Sequence, residues 1–366
     1  DCSDLERQLA AHADRPLKVG SFSAASNVTG ILTDVAAVAR VLHAAGAYAC
    51  FDFAAAGPYL PIEMHPSDPA ERLDAIFLSM HKFIGGPDAS GVLVVHRDLV
   101  RTRTPERPGG GTVDYVAGPT VVDYTTDLAQ REEGGTPSII GDIRAGAAFL
   151  VKEMAGVPAI REHEIALAKQ ALARLAGHPR IAVLGPHDSP RLAIISFNIV
   201  GLHHDLVAAL LDQLFGIQNR AGCSCAGPYG HRLLGIDADR SAQFRAAVLR
   251  GVEGLKPGWV RLTLPFYASP ADIDFMLEAV EFVADHGEAF VPLYELCWAD
   301  GVWRHHESPV PGVPAIELTV DSLLEAAQSS AVEDHEAPLS EAQIERERRR
   351  YMAEAQQLAV ALEARW

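Results

Sequence analysis

A lysine and an aspartate that follow two apolar segments are the residues in this chain best suited to carry chemistry. Lys82 comes shortly after the apolar run 75–78, and Asp52 ends the apolar run 48–51. A lysine that forms a Schiff base must be held at the end of a rigid strand, where partial burial lowers its pKa. A carboxylate on a neighbouring strand can keep a pyridine nitrogen protonated. The pair predicts a pyridoxal phosphate site, although Lys82 taken alone is also compatible with an ordinary Gly-rich turn.

Further polar and Gly-rich motifs accompany this pair along the chain. They are Ser26-Asn27-Val28-Thr29-Gly30, Ser79-x-His81-Lys82, Gly109-Gly110-Gly111-Thr112, Glu133-Gly134-Gly135-Thr136-Pro137 and Arg220-x-Gly222-x-x-Cys225-Ala226-x-Pro228. Their order resembles that of class V aminotransferase-fold enzymes, and the branch of cysteine desulfurases and selenocysteine lyases in particular, over residues 15–285. Several ordered motifs are far more specific than any single Gly-rich turn.

The resemblance implies a role for each residue around the cofactor. Lys82 would form an aldimine with pyridoxal 5'-phosphate and then move the Cα proton of an amino-acid substrate. Asp52 would keep the ring nitrogen protonated. Asn27 would reach the phenolic oxygen of the cofactor or the substrate carboxylate. Ser79 and His81 match the positions that bind the phosphate.

The resemblance also implies residues that serve the substrate and a second subunit. Thr112 matches a residue that contacts the phosphate of the neighbouring subunit's cofactor, which implies a homodimer, although Gly109–Gly111 alone is also typical of an ordinary turn. Arg261 lies in a strand-like apolar run and would bind the substrate carboxylate, with an internal salt bridge as the alternative. Arg220 is implied as a further substrate-binding residue. Cys225, close to Arg220 in the sequence, would accept sulfur from the substrate and pass it to a sulfur-acceptor protein.

Two features leave alternatives open. Cys223 could assist Cys225, compete with it or form a reversible bridge; with His231 the two cysteines also suggest a metal, but no fourth ligand is evident and no metal is predicted. The third position after Asp52 is Ala55, where the family usually has Gln or His, which indicates a divergent branch. The alternatives are an aminotransferase or lyase acting on other amino acids, and a truncated, non-catalytic interaction module.

Alternating strands and helices must position these residues. Strands are predicted over 17–22, 47–53, 75–79 and 91–95, with a helix beginning near Thr33, and this alternation indicates a mainly parallel α/β sheet. Strands over 181–184, 192–199 and 259–264, with helices over 204–215 and 270–286, indicate a smaller α+β domain. The predicted fold class is therefore α/β, and the resemblance implies the PLP-dependent transferase fold type I.

The predicted domains are a partial PLP-binding large domain over 1–155, a small α+β domain over 156–290 and a C-terminal extension over 291–366. Because the first clear strand begins so early in the chain, the N-terminal part of the large domain is expected to be missing. In the extension, the polar stretches 301–317 and 329–339 are predicted linkers. A helix is predicted from Ser340 to Trp366.

The composition and charge of the chain limit the classes of binding partner and the cellular location that can be expected. The 366 residues carry a formal charge of −17, which argues against non-specific binding to nucleic acid or to an anionic membrane. No run of about 18 apolar residues is present, and the first residues do not resemble a signal segment. Five scattered cysteines fit a reducing compartment, so the predicted location is the cytoplasm.

Overall fold

The computed structural model of the protein describes residues 1–118, 120–307, 319, 322, 324 and 338–365. The chain divides into two compact units. Unit 1 comprises Asp1–Ala168 and Asp188–Ala193, and unit 2 comprises Lys169–His187 and Ile194–Trp366. The three domains predicted from the sequence stay a prediction.

Unit 1 contains a four-stranded sheet of short apolar strands. In spatial order these are β1 (Val19–Ser23), β2 (Tyr48–Asp52), β3 (Ala75–Leu78) and β4 (Val92–Val95). β1, β2 and β3 run parallel, and β4 is antiparallel to β3. The prediction of a mainly parallel α/β sheet is confirmed, with one antiparallel edge strand. Because β1, β2 and β3 are parallel, their carboxyl ends lie at the same edge of the sheet, which we call the carboxyl edge.

Helices and one hairpin complete unit 1. They are α1 (Cys2–Ala11), α2 (Val35–Ala44), β5 (Val113–Ala117), β6 (Val121–Tyr124), α3 (Leu128–Glu132), α4 (Ile139–Ala155) and α5 (Val157–Leu175), the last of which contributes residues to both units. The Asp34 side chain caps α2 by accepting a hydrogen bond from the Ala37 N–H. Leu42 of α2 is fully buried and lies against Gly20 of β1, where an added Cβ would come within 2.4 Å of the leucine. The α2–sheet contact therefore requires glycine at this position.

Unit 2 is built around an antiparallel sheet. Its strands, in spatial order, are β7 (Ile181–Val183), β8 (Ile194–Ile199), β10 (Trp259–Thr263) and β9 (Arg220–Gly222). The other elements are α6 (His204–Phe215), α7 (Gly227–Leu233), α8 (Ala238–Val248), α9 (Pro270–Phe290), β11 (Tyr294–Leu296), β12 (Trp303–His305) and α10 (Glu341–Glu363). The predicted smaller sheet is confirmed. Arg220 begins strand β9, which the sequence does not predict.

The C-terminal extension contains more structure than the sequence indicates. The predicted linker 301–317 includes β12, which pairs with β11, so that prediction is wrong over 303–305; its remainder from 308 lies outside the described residues, as does most of the second linker, 329–339. The helix predicted from Ser340 is confirmed as α10, and the side chains of Ser340 and Gln343 form the predicted capping box. An ion pair between Arg348 of α10 and Asp272 of α9 links two helices of unit 2.

None of the helices in the described ranges combines the length and the apolar character that a membrane span requires.

Candidate active site

Asp52 and Lys82 follow adjacent parallel strands of unit 1. Asp52 is the last residue of β2 and is the register partner of Phe77 in β3. Its Oδ1 accepts a hydrogen bond of 2.7 Å from the Ala54 N–H. This bond fixes the turn that follows the strand. Ser79 then leads from β3 into the single turn Met80–Lys82. The carboxylate and the amine are therefore brought to the same carboxyl edge, as the sequence predicts.

The exposure of Lys82 differs from the expectation. The turn buries Met80 completely and the following Phe83 almost completely, which leaves His81 and Lys82 exposed. The prediction that Lys82 is partly buried is therefore wrong for this structure. Gly86 closes the segment, and a Cβ there would lie 1.9 Å from the Met80 carbonyl oxygen. The backbone around Lys82 thus depends on glycine, as the motif indicates.

The Asn27 motif forms a tight loop after β1. Ser26 Oγ accepts hydrogen bonds of 3.1 Å from the N–H groups of Val28 and Thr29. Gly30 adopts a φ of 70°. This is a left-handed conformation that glycine accommodates without strain. Asn27 is half-buried in this loop, at the carboxyl edge that also carries Asp52.

Thr112 is engaged within its own Gly-rich loop. Its side chain is fully buried, and Oγ1 donates a hydrogen bond of 2.7 Å to the Gly109 carbonyl. The second glycine motif packs on the first, because a Cβ on Gly109 would lie 3.3 Å from the Gly134 backbone. The exposed part of this loop is therefore the backbone of Gly110 and Gly111, and the Thr112 hydroxyl is directed inward.

Cys225 lies in a strained loop of unit 2. Gly222 has a φ of 98°, and Ser224 and Cys225 have φ values of 48° and 59°. Residues other than glycine seldom adopt such values. Cys225 is exposed whereas Cys223 is half-buried. Left-handed non-glycine residues are concentrated at functional sites, and the strain here presents the thiol of Cys225 at the surface.

Two arginines stand side by side in the sheet of unit 2. Arg220 and Arg261 are Cα partners on the antiparallel strands β9 and β10, so their side chains leave the same face of the sheet. Arg220 Nη2 lies 3.8 Å from Cys225 Sγ, which places the thiol next to this pair. Guanidinium groups bind carboxylates through charge-assisted hydrogen bonds. The arrangement can hold a carboxylate beside a thiol.

Lys152 of α4 lies beside the Asp52 segment, although no motif in the sequence indicates it. Its Nζ donates hydrogen bonds of 2.6 Å to the carbonyl oxygens of Gly57 and Leu60, which lie in the segment following Asp52. Burial lowers the pKa of Lys152 to about 8. The missed signal is periodicity: Ala145, Ala148 and Lys152 fall on one helical face, and both alanines are buried.

Comparison with known sequences identifies one family and a set of relatives that are all described as cysteine desulfurases or probable cysteine desulfurases. The Aminotransferase class-V family matches residues 3–276. The chain is 34% identical over 242 residues to a probable cysteine desulfurase of Halalkalibacterium halodurans, covering 66% of this chain and 56% of the relative. It is 35% identical over 224 residues to a cysteine desulfurase of Dickeya dadantii, covering 60% and 52%. The chain thus spans about half the length of the curated relatives it matches.

Solved structures point to the same fold. The apo structure of a cysteine desulfurase from Thermococcus onnurineus NA1 aligns with a TM-score of 0.62 and 25% identity, covering 78% of this chain and 63% of that one. The cysteine desulfurase CsdA from Escherichia coli aligns with a TM-score of 0.59 and 25% identity, covering 73% and 59%. The sheet of unit 1 agrees with PLP-dependent fold type I. The chain therefore belongs to the class V aminotransferase family of pyridoxal-phosphate-dependent enzymes.

Proposed function

We propose that this chain carries the cofactor lysine and the sulfur-accepting thiol of a cysteine desulfurase-like enzyme. Its substrate would be a small amino acid that bears sulfur, and Cys225 would receive the sulfur atom. The observation that carries the proposal is the arrangement in unit 2, where an exposed thiol on a strained loop lies 3.8 Å from an arginine that is paired with a second arginine. A carboxylate-bearing substrate that must present its sulfur to a nucleophile needs these groups together.

The donor set at the carboxyl edge of unit 1 fits pyridoxal phosphate. Lys82 offers a primary amine for covalent attachment, and Asp52 offers a carboxylate for a pyridinium nitrogen. Ser79 and His81 offer a hydroxyl and an imidazole that can bind phosphate oxygens. When bound, the cofactor withdraws electrons from the substrate, which weakens the bonds at its Cα and Cβ atoms.

Each residue then has a defined task. Lys82 would hold the cofactor, and its Nζ would take the Cα proton of the substrate. Asp52 would hold the proton on the ring nitrogen by charge attraction. Asn27 orients the substrate or the ring oxygen through its amide. Arg261, supported by Arg220, binds the substrate carboxylate as a charge-assisted pair.

Sulfur transfer falls to Cys225. Its thiolate attacks the substrate sulfur, so that a sulfur–sulfur bond forms while the carbon–sulfur bond breaks and its electron pair stays with carbon. The Cβ atom then takes up a proton and Lys82 returns the proton to Cα, so that alanine is the product when the substrate is cysteine, and Cys225 is left as a persulfide. The exposure of Cys225 suits delivery of this sulfur to an acceptor protein.

A homodimer is part of the same proposal. The hairpin that follows the Gly109–Thr112 loop exposes four large apolar side chains: Tyr115, Val116, Val121 and Val122. Exposed apolar patches of this kind are typical of interaction surfaces. A two-fold contact through the hairpin would place the exposed glycine backbone of one subunit near the partner.

Mass spectrometry of the thiol loop tests the function. Incubation of the PLP-loaded protein with cysteine should add the mass of one sulfur atom to the peptide containing Cys225, and Cys225→Ala should abolish both this mass and alanine production. Cys223→Ala is the matched control, because Cys223 is half-buried and should matter much less. Alanine production at the normal rate by Cys225→Ala would contradict the proposal.

One observation favours a second candidate function. Ala55, half-buried in the turn after Asp52, has no side-chain hydrogen-bonding group at a position where the family usually has one. This departure fits an aminotransferase or lyase acting on other amino acids. In that case Cys225→Ala would keep full activity toward the true substrate, whereas sulfur transfer requires the thiol.

A further inference from the structure

The segment between the start of β9 and the start of β10 forms a closed lobe that carries the Cys225 thiol. It comprises β9, the thiol loop, α7, α8 and the single turn Glu253–Leu255. The base of the lobe is closed, because a Cβ on Gly258 would lie 2.7 Å from the Gly222 Cα. Helix α7 rests on β10, since a Cβ on Gly230 would lie 2.6 Å from the Trp259 ring. A molecule that approaches Cys225 therefore also approaches this lobe.

The lobe is basic, although the protein is acidic. Residues 220–258 contain six Lys or Arg against three Asp or Glu, a net charge of +3, whereas the whole chain has a formal net charge of −17. The six basic residues are all exposed: Arg220, Arg232, Arg240, Arg245, Arg250 and Lys256. We call the surface that they form the basic lobe.

The arginines of the basic lobe are not neutralised from within the molecule. In the part of the chain that the structure describes, none of the five forms an ion pair with Asp or Glu. Arg240 lies over the Phe244 ring instead, 5.7 Å from its centroid, and the Asp237 side chain caps α8. The arginines at 348–350 in α10 differ, because each of them pairs with a carboxylate. Guanidinium groups without an internal carboxylate remain available to an external one.

Exposed apolar side chains accompany these charges. Of the residues of α8, all of which the structure describes, only Ala247 is buried. Leu249 follows the helix and is 69% exposed, and Leu255 is 42% exposed. The Val252 N–H donates a hydrogen bond of 3.1 Å to the Ala247 carbonyl, which holds the turn with Leu255 against the end of α8. Arginine beside exposed apolar side chains is typical of protein–protein interfaces.

We propose that the basic lobe docks an acidic sulfur-acceptor protein that presents its own thiol among carboxylates. This inference rests on the proposed transfer of sulfur to Cys225. The acceptor thiolate would attack the outer sulfur of the Cys225 persulfide. A sulfur–sulfur bond forms on the acceptor while the bond within the persulfide breaks, and its electron pair returns to Cys225 Sγ. The step therefore needs no further oxidant or reductant.

Screening by salt makes the local charge decisive. At an ionic strength of about 0.1 M the Debye length is about 10 Å, so a partner at the thiol senses nearby arginines more than distant acidic residues. Helix α7 is about 10 Å long, and Arg232 lies near the end of it that is farther from the thiol loop. A compact acidic protein surface matches a lobe of this size. A nucleic acid would need a longer positive surface to neutralise successive phosphates.

Disulfide exchange at Cys225 tests the surface without cofactor or turnover. Three peptides each contain one cysteine, activated as its thiopyridyl disulfide, and differ only in having glutamate, serine or lysine on both sides of it. At about 0.1 M ionic strength, the glutamate peptide should label Cys225 of the full chain at least about 10-fold faster than the lysine peptide, the lower end of electrostatic steering. This preference should vanish near 1 M salt, where the Debye length is about 3 Å. Cys225→Ala corrects for labelling of the other cysteines.

Charge reversal within the lobe provides the test variant. Arg232→Glu combined with Arg245→Glu should abolish the preference for the glutamate peptide, with each rate expressed relative to that of the serine peptide. The matched control is Arg161→Glu combined with Arg346→Glu, which changes the net charge equally at two exposed arginines outside the lobe and should keep the preference. Circular dichroism establishes that each variant folds. Arg232→Gln combined with Arg245→Gln replaces the first pair if that pair does not fold.

Sulfur transfer separates this proposal from the proposed function. When Cys225 carries sulfur from cysteine, the glutamate peptide with a free thiol should receive that sulfur faster than the lysine peptide. A protein that shows the labelling preference but takes no sulfur from cysteine would contradict the proposed function and not the docking of an acidic partner. The docking proposal is overturned if wild type shows no preference, or if the control pair lowers it as much as the lobe pair. Blocking of the glutamate peptide by an equimolar oligonucleotide would also overturn it and assign the surface to nucleic acid.

Discussion

A buried carboxylate in unit 1 should make the stability of this protein depend on pH. Glu164 of α5 is fully buried, and its Oε2 accepts a hydrogen bond of 2.9 Å from the Ala193 N–H. Its Oε1 has no hydrogen-bond partner among the described residues. Burial raises the pKa of Glu164 to about 7 from 4.5. The single backbone hydrogen bond only partly opposes that rise.

The sign follows from proton linkage. A carboxyl group whose folded pKa is raised contributes stability that is fully present below the unfolded pKa, and this contribution is lost as pH rises through the folded pKa. A shift between these two values corresponds to about 3 kcal/mol in total, of which about 2.5 kcal/mol falls between pH 5 and pH 8. Glu164→Gln has no titrating group, so its free energy of unfolding should lack this component.

Urea unfolding at several pH values measures the difference directly. The stability of Glu164→Gln relative to wild type should increase by about 2.5 kcal/mol from pH 5 to pH 8. Glu162→Gln, an exposed position on the same helix, should show a constant difference near zero. Parallel curves for wild type and Glu164→Gln would refute the reasoning. They would mean that Glu164 keeps one protonation state across this pH range.

Three further outcomes are expected. Asp52→Asn should retain PLP but lose most of its turnover, because an amide cannot hold the proton on the ring nitrogen; an unchanged rate would assign that nitrogen another partner. Lys152→Met should lower the free energy of unfolding by about 3 kcal/mol, because two backbone carbonyl groups lose their hydrogen-bond donor. A urea midpoint equal to that of the wild type would show that water replaces the amine. Tyr115→Glu combined with Val122→Glu should convert a homodimer to a monomer in light scattering. The conservative Val122→Thr should leave the dimer intact. A wild-type protein that is monomeric and binds PLP tightly would refute the shared site.

Strands and helices that are buried were predictable from the sequence. β2 is an apolar run that ends at Asp52, and β8 is a mostly apolar segment with four of its six residues apolar. Helix α6 begins and ends where its periodic pattern does. The hairpin β5–β6 was missed because its residues are mostly exposed and lack a buried alternating face. Strand β9 was missed for a different reason. It is short and contains glycine, and only its pairing with β10 makes it a strand.

In the candidate site, too, some features could be predicted from the sequence and others depend on tertiary contacts. That Asp52 and Lys82 share an edge follows from parallel strands, which alternating apolar segments indicate. The pairing of Arg220 with Arg261 depends on the register between two strands far apart in sequence, and no local pattern encodes it. The exposure of Lys82 also depends on context, because the same turn could bury Lys82 or Met80 according to the packing beneath it.

The identity of the cofactor lysine tests the central claim most directly. The full chain is loaded with PLP, reduced with borohydride, dialysed and digested, and the label is located by mass spectrometry. We predict the label on the peptide containing Lys82, and none after Lys82→Ala, while Lys152→Met keeps the label on Lys82. A label on any other lysine, or labelling of Lys82→Ala to the wild-type extent, would contradict the assignment.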